Sequence, residues 1–222
     1  MQLSEQEVVR REKLSKLRAL GINPYPADLF PVNHNSKQIK ESFAEDKQVV
    51  IAGRLMSIHI QGKASFAQLQ DSEGRIQVYF NRDVICPSED KSMYNDFFKK
   101  WLDLGDILGI EGKVFKTMVG EISVNVEKIH LLSKSLKPLP QPKVDADGNT
   151  YDAFNDPELR YRRRYVDLIV NDHVKETFLK RSKVINSIGV LLNLNNNYQR
   201  QKLIAEFLPL ENHNIKLLQQ RG

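Results

Sequence analysis

The residues best suited to chemistry lie in two neighbouring segments, 64–70 and 75–80. In both, small or apolar residues alternate with a second set that includes Phe66, Gln77 and Arg75. A period of two predicts β-strands with one buried face. Rings, amides and guanidinium groups on the opposite face are the groups that stack on and hydrogen-bond to unpaired nucleic-acid bases. A merely solvated face does not require them.

A first strand, a helix and a second hairpin must position these segments. Residues 49–56 alternate in the same way, with Arg54 opposite Val49, Ile51 and Leu55. Residues 92–104 have helical spacing, with one side formed by Met93, Phe97, Trp101 and Leu104. Two more alternating segments follow at 107–115 and 122–132, joined by a turn at Gly120. This element order predicts an α+β, mostly β fold, a five-stranded OB-fold barrel at 49–134 whose second and third strands form the binding surface.

Composition limits the remaining choices. The 222 residues have room for one ordinary domain and part of another, and a net charge of +5 with a pI near 9.2 is compatible with a polyanionic partner. Cys86 is the single cysteine, so no internal disulfide is expected and an inert thiol is predicted. The charged N-terminus and the lack of a long apolar run predict a cytoplasmic location without a membrane partner.

Residues 1–48 are predicted to be a helical extension. Ser4 and Glu7 form a capping box, and the helix that they begin ends at Gly21. Its apolar residues are Val8, Leu14, Leu17 and Leu20. Its basic residues, among them Arg10 and Lys13, are either a solvated face or a flank that contacts phosphates. A short helix is predicted at 37–44, with Ile39 and Phe43 facing inward.

The second half of the chain is predicted to be a linker followed by helices. Prolines mark 135–156 as an extended linker, and Asp156 and Pro157 begin a helix at 157–169 that holds four arginines. Those arginines form either a solvated face or an interface. Asp172 is predicted to cap a further helix with the apolar residues Val174, Phe178, Val184, Ile185 and Ile188. Residues 189–222 lack a clear capping pattern and would expose apolar surface.

Common catalytic motifs are missing from the sequence. Gly62-Lys63 lacks the upstream glycine and the following Ser or Thr of a phosphate loop, and the acidic residues near 145–156 do not fit a calcium loop. The histidines are isolated, and there is no G-x-S-x-G. We therefore predict no catalytic residue and no metal ligand in this chain.

Several motifs resemble those of one enzyme family. They are Gly62-Lys63-Ala64-Ser65-Phe66, Gly74-Arg75-Ile76-Gln77-Val78-Tyr79, Leu104-Gly105-Asp106 and Arg160-Tyr161-Arg162-Arg163-Arg164-Tyr165-Val166-Asp167-Leu168. In their amino-acid sequence and their order along the chain they resemble the motifs of class II lysyl-tRNA synthetases of bacterial type. The aspartyl- and asparaginyl-tRNA synthetases share the barrel but fewer of these sequence motifs. The resemblance runs to about Ile188, so 157–188 resembles the start of a class II catalytic domain.

The resemblance implies that the barrel binds the anticodon of a lysine tRNA. Phe66 matches a stacking phenylalanine, and Gln77 matches the glutamine that reads the central uridine. Glu121 matches an acidic residue near the first anticodon base, and Arg54 matches an arginine on the same face. Side chains expected to contact phosphates are Arg10, Lys13, Lys63 and Arg75. Ile58 and His59 stand where the family usually has a basic pair, so we expect weaker anticodon binding.

The complete family enzyme joins lysine to its tRNA with ATP and magnesium and forms a homodimer. The family's ATP-holding arginine and glycine-rich motifs are missing here, and 189–222 is expected to have no family counterpart, as in a truncated or frame-shifted gene product. No cofactor is expected for this chain alone. Two alternatives stay open, a general single-strand binder without a link to synthetases and an inactive fragment.

We predict that this chain by itself binds lysine tRNA without charging it, because the ATP-holding motifs are missing. Lysine-dependent exchange between ATP and pyrophosphate is the direct measurement, and no exchange above background is expected from the pure chain. Detectable exchange would contradict the prediction.

Overall fold

The computed structural model describes residues 3–140, 143–144, 150–151 and 154–193. The chain divides into two compact units, Met1–Leu139 and Pro140–Gly222. The first contains a barrel and its N-terminal extension, and the second contains a small sheet and helices.

Five strands of the first unit close into a barrel. They are β1 (Gln48–Gln61), β2 (Ala64–Gln70), β3 (Arg75–Asn81), β4 (Ile107–Lys116) and β5 (Ile122–Ser133). Their order around the barrel is β1-β2-β3-β5-β4, and every neighbouring pair is antiparallel except β3 and β5, which run parallel. The predicted five-stranded OB-fold is confirmed.

The alternation predicted for the first three strands matches their burial. The inward-facing residues of these strands are at most 2% exposed: Val49, Ile51, Leu55, Ala67, Leu69, Ile76, Val78 and Phe80. The interior of such a small barrel is filled by side chains, so this set is its core. The residues between them lie on the outer face, which frees that face for binding.

Strand β4 approaches β5 so closely that one position excludes any side chain. A Cβ on Gly112 would lie 2.1 Å from the carbonyl oxygen of Asn125, far inside van der Waals contact. The register of the two strands shifts between Glu111 and Gly112, which is a β-bulge. Bulges bend strands and increase their twist, and both effects help a short sheet to close.

The helix predicted at 92–104 forms, but with a wider winding and a buried face that only partly matches the prediction. It spans Met93–Trp101 as a π-helix, and at its end the Leu102 N–H donates to the Phe97 carbonyl five residues earlier, at 3.2 Å. Met93, predicted to face inward, is 39% exposed, whereas Tyr94 is fully buried. Phe97 is buried and Trp101 and Leu104 pack against the core, as the spacing predicts. A helix with more than 3.6 residues per turn also presents other positions to the core, so α-helical spacing missed Tyr94 and Phe98.

Three stacked rings explain why the wider winding is stable. Phe98 stacks on Phe80 of β3 with a centroid distance of 4.2 Å, and Tyr94 stacks on Phe98 at 5.5 Å. The hydroxyls of Tyr94 and Ser65 are 2.7 Å apart, so the polar tip of the buried tyrosine is also satisfied. The short helix α3, which precedes this segment, spans Arg82–Ile85.

The N-terminal extension contains the two expected helices. In α1 (Glu5–Ala19), the predicted capping box is present, because the Glu7 N–H donates to Ser4 Oγ and the Ser4 N–H donates to Glu7 Oε2. Leu14 and Leu17 are buried, but Val8 and Leu20 are exposed, so the apolar stripe is narrower than predicted. Helix α2 (Ser36–Glu41) ends three residues before Ala44, which leaves Phe43 exposed.

The second unit begins with a two-stranded antiparallel sheet inside the predicted linker, with β6 at Lys143–Val144 and β7 at Thr150–Tyr151. Asp156 caps α4 (Pro157–Arg162) by accepting from the Leu159 N–H at 2.9 Å, as predicted. The single helix predicted at 157–169 is instead broken at Arg163, whose φ of −122° and ψ of 52° are not helical. Helix α5 (Arg164–Val170) follows.

A buried carboxylate on α5 binds part of the arginine cluster on both sides of this break. Asp167 is fully buried, and its oxygens accept from Arg160 at 3.0 Å and Arg164 at 2.5 Å. Burial raises the pKa of Asp167, but hydrogen bonds from Asn171 and Arg160 and the charges of Arg160 and Arg164 outweigh burial and hold that pKa below its usual value. Neither of the two interpretations left open, a solvated face or an interface, describes Arg160 and Arg164. Both form internal ion pairs with Asp167.

Residues 172–193 form α6, the final helix of the part of the chain that the structure describes. Val174 is buried and Phe178 is half-buried, with the guanidinium of Arg164 over its ring, but Val184, Ile185 and Ile188 are more than half exposed. Of the five apolar residues predicted for this helix, the last three are therefore not covered by the described residues. The prediction for 189–222 falls mainly on 194–222, which lies outside the described residues.

One carboxylate holds the β2–β3 turn to α2 and provides a test of the fold. Asp71 accepts from the Ser36 N–H and hydroxyl at 2.5 and 2.7 Å, and from the Glu73 and Gly74 N–H groups at 2.8 Å each. Burial raises the pKa of Asp71, but these hydrogen bonds outweigh burial and hold the pKa below its usual value.

We expect Asp71→Asn to lower the free energy of unfolding by about 1.5–3 kcal/mol at pH 7, the usual contribution of hydrogen bonds to a charged group. A carboxyl with a depressed folded pKa stabilises the fold above its unfolded pKa and loses that effect as the pH falls through the folded value. The difference between wild type and variant should therefore shrink below about pH 4. Urea unfolding at pH 7 and pH 3 measures both values. Asp96→Asn, which removes an exposed pair with Lys100, is the matched control and should change stability little.

Candidate nucleic-acid interface

The outer face of the barrel arranges its side chains in cross-strand rows. In the first row, Arg54 of β1 pairs with Gln70 of β2, which pairs with Arg75 of β3. In the second, Gln68 pairs with Gln77, and Gln77 pairs with Ser123 of β5. The third row is His59, Phe66, Tyr79 and Asn125. Residues of one row lie side by side, so charges, amides and rings occupy successive levels of one surface.

A ring on β4 contacts the rings of the third row, although its residue, Phe115, pairs with Ser123 of the second row. The rings of Phe66 and Tyr79 have centroids 5.0 Å apart, and Tyr79 meets Phe115 edge to face at 5.8 Å. All three side chains are half-buried, so each ring is supported from one side and open on another. Strand alternation places Tyr79 on the same face as Phe66, whereas Phe115 joins them only because the barrel closes. A supported ring of this kind is a platform on which a base can stack.

The amide of Gln77 is held by a neighbouring strand. The hydroxyl of Ser123 donates to Gln77 Oε1 at 2.7 Å, and Ser123 is fully buried. Glu121 lies two residues earlier, exposed, in the turn between β4 and β5, where its N–H donates to Thr117 Oγ1 at 3.0 Å. Gly120 precedes it with a φ of +91°, a conformation that glycine adopts without strain. Glu121 is thus in the turn that leads into β5, two residues before the Ser123 that pairs with Gln77.

The guanidinium of Arg54 is also fixed. Its Nη1 donates to the carbonyl of Gly105 at 2.9 Å, and the side chain is half-buried. Burial lowers the pKa of Arg54, and the nearby Asp106 partly opposes that shift. The structure therefore brings Arg54, Gln77 and Phe66 onto one face, with Glu121 at its edge.

Comparison with known proteins adds to this geometry. The family model of the tRNA anti-codon OB-fold nucleic acid binding domain matches residues 49–132. A lysine–tRNA ligase of Christiangramia forsetii is 62% identical over 208 residues, which cover 94% of this chain and 37% of that protein. Lysine–tRNA ligases of Porphyromonas gingivalis strain W83 and of Azobacteroides pseudotrichonymphae are 55% and 54% identical over 87% and 86% of this chain.

The chain belongs to the lysine–tRNA ligase family. Its barrel is the family's OB-fold nucleic acid binding domain, as the motifs predicted. The chain spans about a third of the length of the curated relatives that it matches, between 34% and 39% in these three.

The same comparison corrects one prediction about the end of the chain. The residues before Gly189 number 188 of 222, or about 85%, whereas the alignment with the Christiangramia forsetii ligase covers 94%. Part of 189–222 must therefore be aligned. The prediction that this segment has no counterpart in the lysine–tRNA ligase family is wrong.

Two of the four predicted phosphate contacts face the expected way. Lys63 is exposed in the turn between β1 and β2, beside Gly62, whose carbonyl accepts from Lys99 at 2.7 Å. Arg75 is half-buried in the first row with Arg54. Both lie on or beside the outer face that carries Phe66.

Arg10 has a structural role instead. It is 8% exposed, and its guanidinium donates to the carbonyls of Leu104, Ser135 and Lys137 at 3.0, 3.1 and 3.3 Å. These bonds attach α1 to the loop before β4 and to the segment after β5. The geometry does not support Arg10 as a phosphate contact, because its charge is committed to backbone carbonyls.

Lys13 belongs to a cluster of paired charges. Its Nζ lies 2.6 Å from Asp103, whose other oxygen lies 2.6 Å from Lys134. Lys134 is fully buried and also meets the buried Asp106 at 2.8 Å. Burial raises the pKa of Asp103, but the two lysines outweigh burial and hold it below its usual value. Lys13 therefore serves this cluster, and the geometry does not support it as a phosphate contact either.

Three further observations concern the described residues only. No group of three or more His, Cys, Asp or Glu side chains among them is placed to hold a metal ion. None of their helices is both long enough and apolar enough to cross a membrane. Cys86 is buried.

We expect Arg10→Met to lower the free energy of unfolding by about 1.5–3 kcal/mol, because three carbonyls lose a charged donor. Arg11→Met is the matched control, since Arg11 is the next residue of α1 and is exposed. It should change stability by less than about 0.5 kcal/mol. Urea unfolding of both variants measures the difference. Equal changes in the free energy of unfolding would show that the buried hydrogen bonds of Arg10 do not stabilise the fold.

Proposed function

We propose that the barrel binds the anticodon of a lysine tRNA. Phe66 stacks on a base, and Gln77 reads the central uridine. The observation that carries the proposal is the aromatic row beside a fixed amide on the outer face of a lysine–tRNA ligase OB-fold. The names of the relatives support the choice of tRNA, and the rows support the choice of surface.

Affinity and selectivity come from different rows in this proposal. A base stacked on a protein ring contributes roughly 1–3 kcal/mol, and any base provides a π-face for it. Selectivity then comes from hydrogen bonds to the edges of the splayed bases. Arg54, Gln77 and Glu121 provide such groups beside the rings.

Lys63 and Arg75 contribute phosphate contacts in the proposal. Each phosphate neutralised on a single strand adds about −0.7 to the slope of log K against log salt. Truncating Lys63 should therefore flatten the slope without changing which anticodon is preferred. Arg10 and Lys13 are not part of this surface.

For the complete ligase, we propose that this unit holds the tRNA while the rest of the enzyme attaches lysine. ATP and magnesium would supply the activation of the lysine carboxylate in that enzyme. The described residues of this chain provide no cluster to which metal ligands can be assigned.

A general single-strand binder is the second candidate, favoured by one observation. The contacting rings of Phe66, Tyr79 and Phe115 form a continuous aromatic platform, and stacking alone does not distinguish bases. Equal affinity for unrelated single strands would favour this candidate.

Anticodon stem-loops titrated against the full chain separate the two candidates. We expect tighter binding to a U-rich lysine anticodon than to an unrelated loop. Phe66→Ala should weaken binding by about tenfold or more, since it removes one stacking contact. Gln77→Ala should reduce the preference for the lysine anticodon. Phe43→Ala removes an exposed phenylalanine that lies outside the barrel strands and should leave binding unchanged.

A further inference from the structure

Ser123 makes a hydrogen bond whose direction has chemical consequences. It sits on β5 directly beside Gln77 of β3, in the short parallel ladder that closes the barrel. Its hydroxyl is fully buried and lies 2.7 Å from Gln77 Oε1. A buried hydroxyl is costly unless it is hydrogen-bonded, so this contact is strongly held.

The hydroxyl donates in this contact. A serine has one O–H hydrogen, and the other acceptor beside it, the Glu121 carbonyl, is 3.5 Å away. At that distance a hydrogen bond between oxygens is weak, so Gln77 Oε1 receives the hydrogen. An amide carries its oxygen and its NH₂ group on opposite sides. With the oxygen turned toward Ser123, the NH₂ group of Gln77 is directed away from it.

We propose that Ser123 is a positioning residue that fixes the Gln77 amide so that it offers N–H donors to the base. Uracil presents carbonyl oxygens, which accept from an NH₂ group, whereas cytosine carries an amino group at the position of one of them. Two donors facing each other do not bond. The buried hydroxyl therefore makes the site select uracil over cytosine. This inference rests on the proposed function.

The terminal torsion of glutamine explains why a neighbour is needed. Its last χ angle is broad, so a free amide rotates with little cost and presents either its oxygen or its nitrogen. Such an amide would accept from cytosine about as readily as it donates to uracil. Gln77 is selective only if a neighbouring group stabilises one orientation of its amide. The hydroxyl of Ser123, which donates to Gln77 Oε1, is placed to do so.

Two stem-loops that differ only by U or C at the central anticodon position test the inference. Their dissociation constants for the full chain are measured by fluorescence anisotropy. Wild type should prefer U. Ser123→Ala should reduce the U-to-C ratio by about tenfold, the effect of about one net hydrogen bond. Gln77→Glu should reverse the preference, because a carboxylate oxygen then accepts from the cytosine amino group.

Matched variants separate positioning from stability. Ser65 is also fully buried, and its hydroxyl lies 2.7 Å from that of Tyr94 on the inner face. Ser65→Ala should cost comparable stability but leave the U-to-C ratio unchanged. Ser123→Thr keeps the donor and should keep the ratio. In a Gln77→Ala background, Ser123→Ala should have no further effect on the ratio, since the group that it orients is gone.

The outcomes distinguish this inference from the proposed function. If wild type does not prefer U, or if Gln77→Ala leaves the preference intact, the proposed function fails. If wild type prefers U through Gln77 but folded Ser123→Ala keeps the full ratio, only the positioning role is overturned. Should Ser123→Ala not fold, Ser123→Cys takes its place: a ratio reduced in Cys and kept in Thr supports the role, and an unchanged ratio in Cys overturns it.

Discussion

The structure depends most on the parallel pairing of β3 with β5, which closes the barrel. Three residue pairs form it: Gln77 with Ser123, Val78 with Val124, and Tyr79 with Asn125. The middle pair points inward and is fully buried, while the outer pairs lie on the binding face. Because successive side chains alternate, a slip of one residue would exchange the two faces. One register therefore sets both the core and the surface proposed to bind the anticodon.

Other contacts in the unit maintain that register. Gly112 lets β4 approach the backbone of β5, and no side chain fits there. Just beyond β5, the buried Lys134 is held by Asp103 and Asp106, and Arg10 attaches α1 to the same region. Removing one partner of a buried pair is costly because a bare charge remains. Arg10 and Lys13 of α1 therefore help to hold the segment that follows β5 in place, whereas Arg11, Lys16 and Arg18 of the same helix are exposed.

Local sequence patterns predicted the strands, the capping box of α1 and the outward positions of Arg54, Phe66 and Gln77. They failed where the deciding contact is distant in sequence. Ser123 is 46 residues from Gln77, and no pattern in the sequence shows that they meet. The π-helix follows from rings stacked on Phe80, which α-helical spacing does not encode. The break at Arg163 lies between Arg160 and Arg164, which both reach one buried carboxylate.

Stacking on Phe66 and base selection by Gln77 depend on different strands, so the selectivity for a base depends on the closure of the barrel. Phe66 lies on β2, so a base can stack there as long as the β1–β2–β3 meander persists. The orientation of Gln77 needs β5 beside β3, through only three residue pairs. Short ladders open more readily than long ones, because fewer contacts must be lost. Partial opening of the barrel should then remove base selectivity while stacking remains, so specificity is the property of this domain most sensitive to its closure.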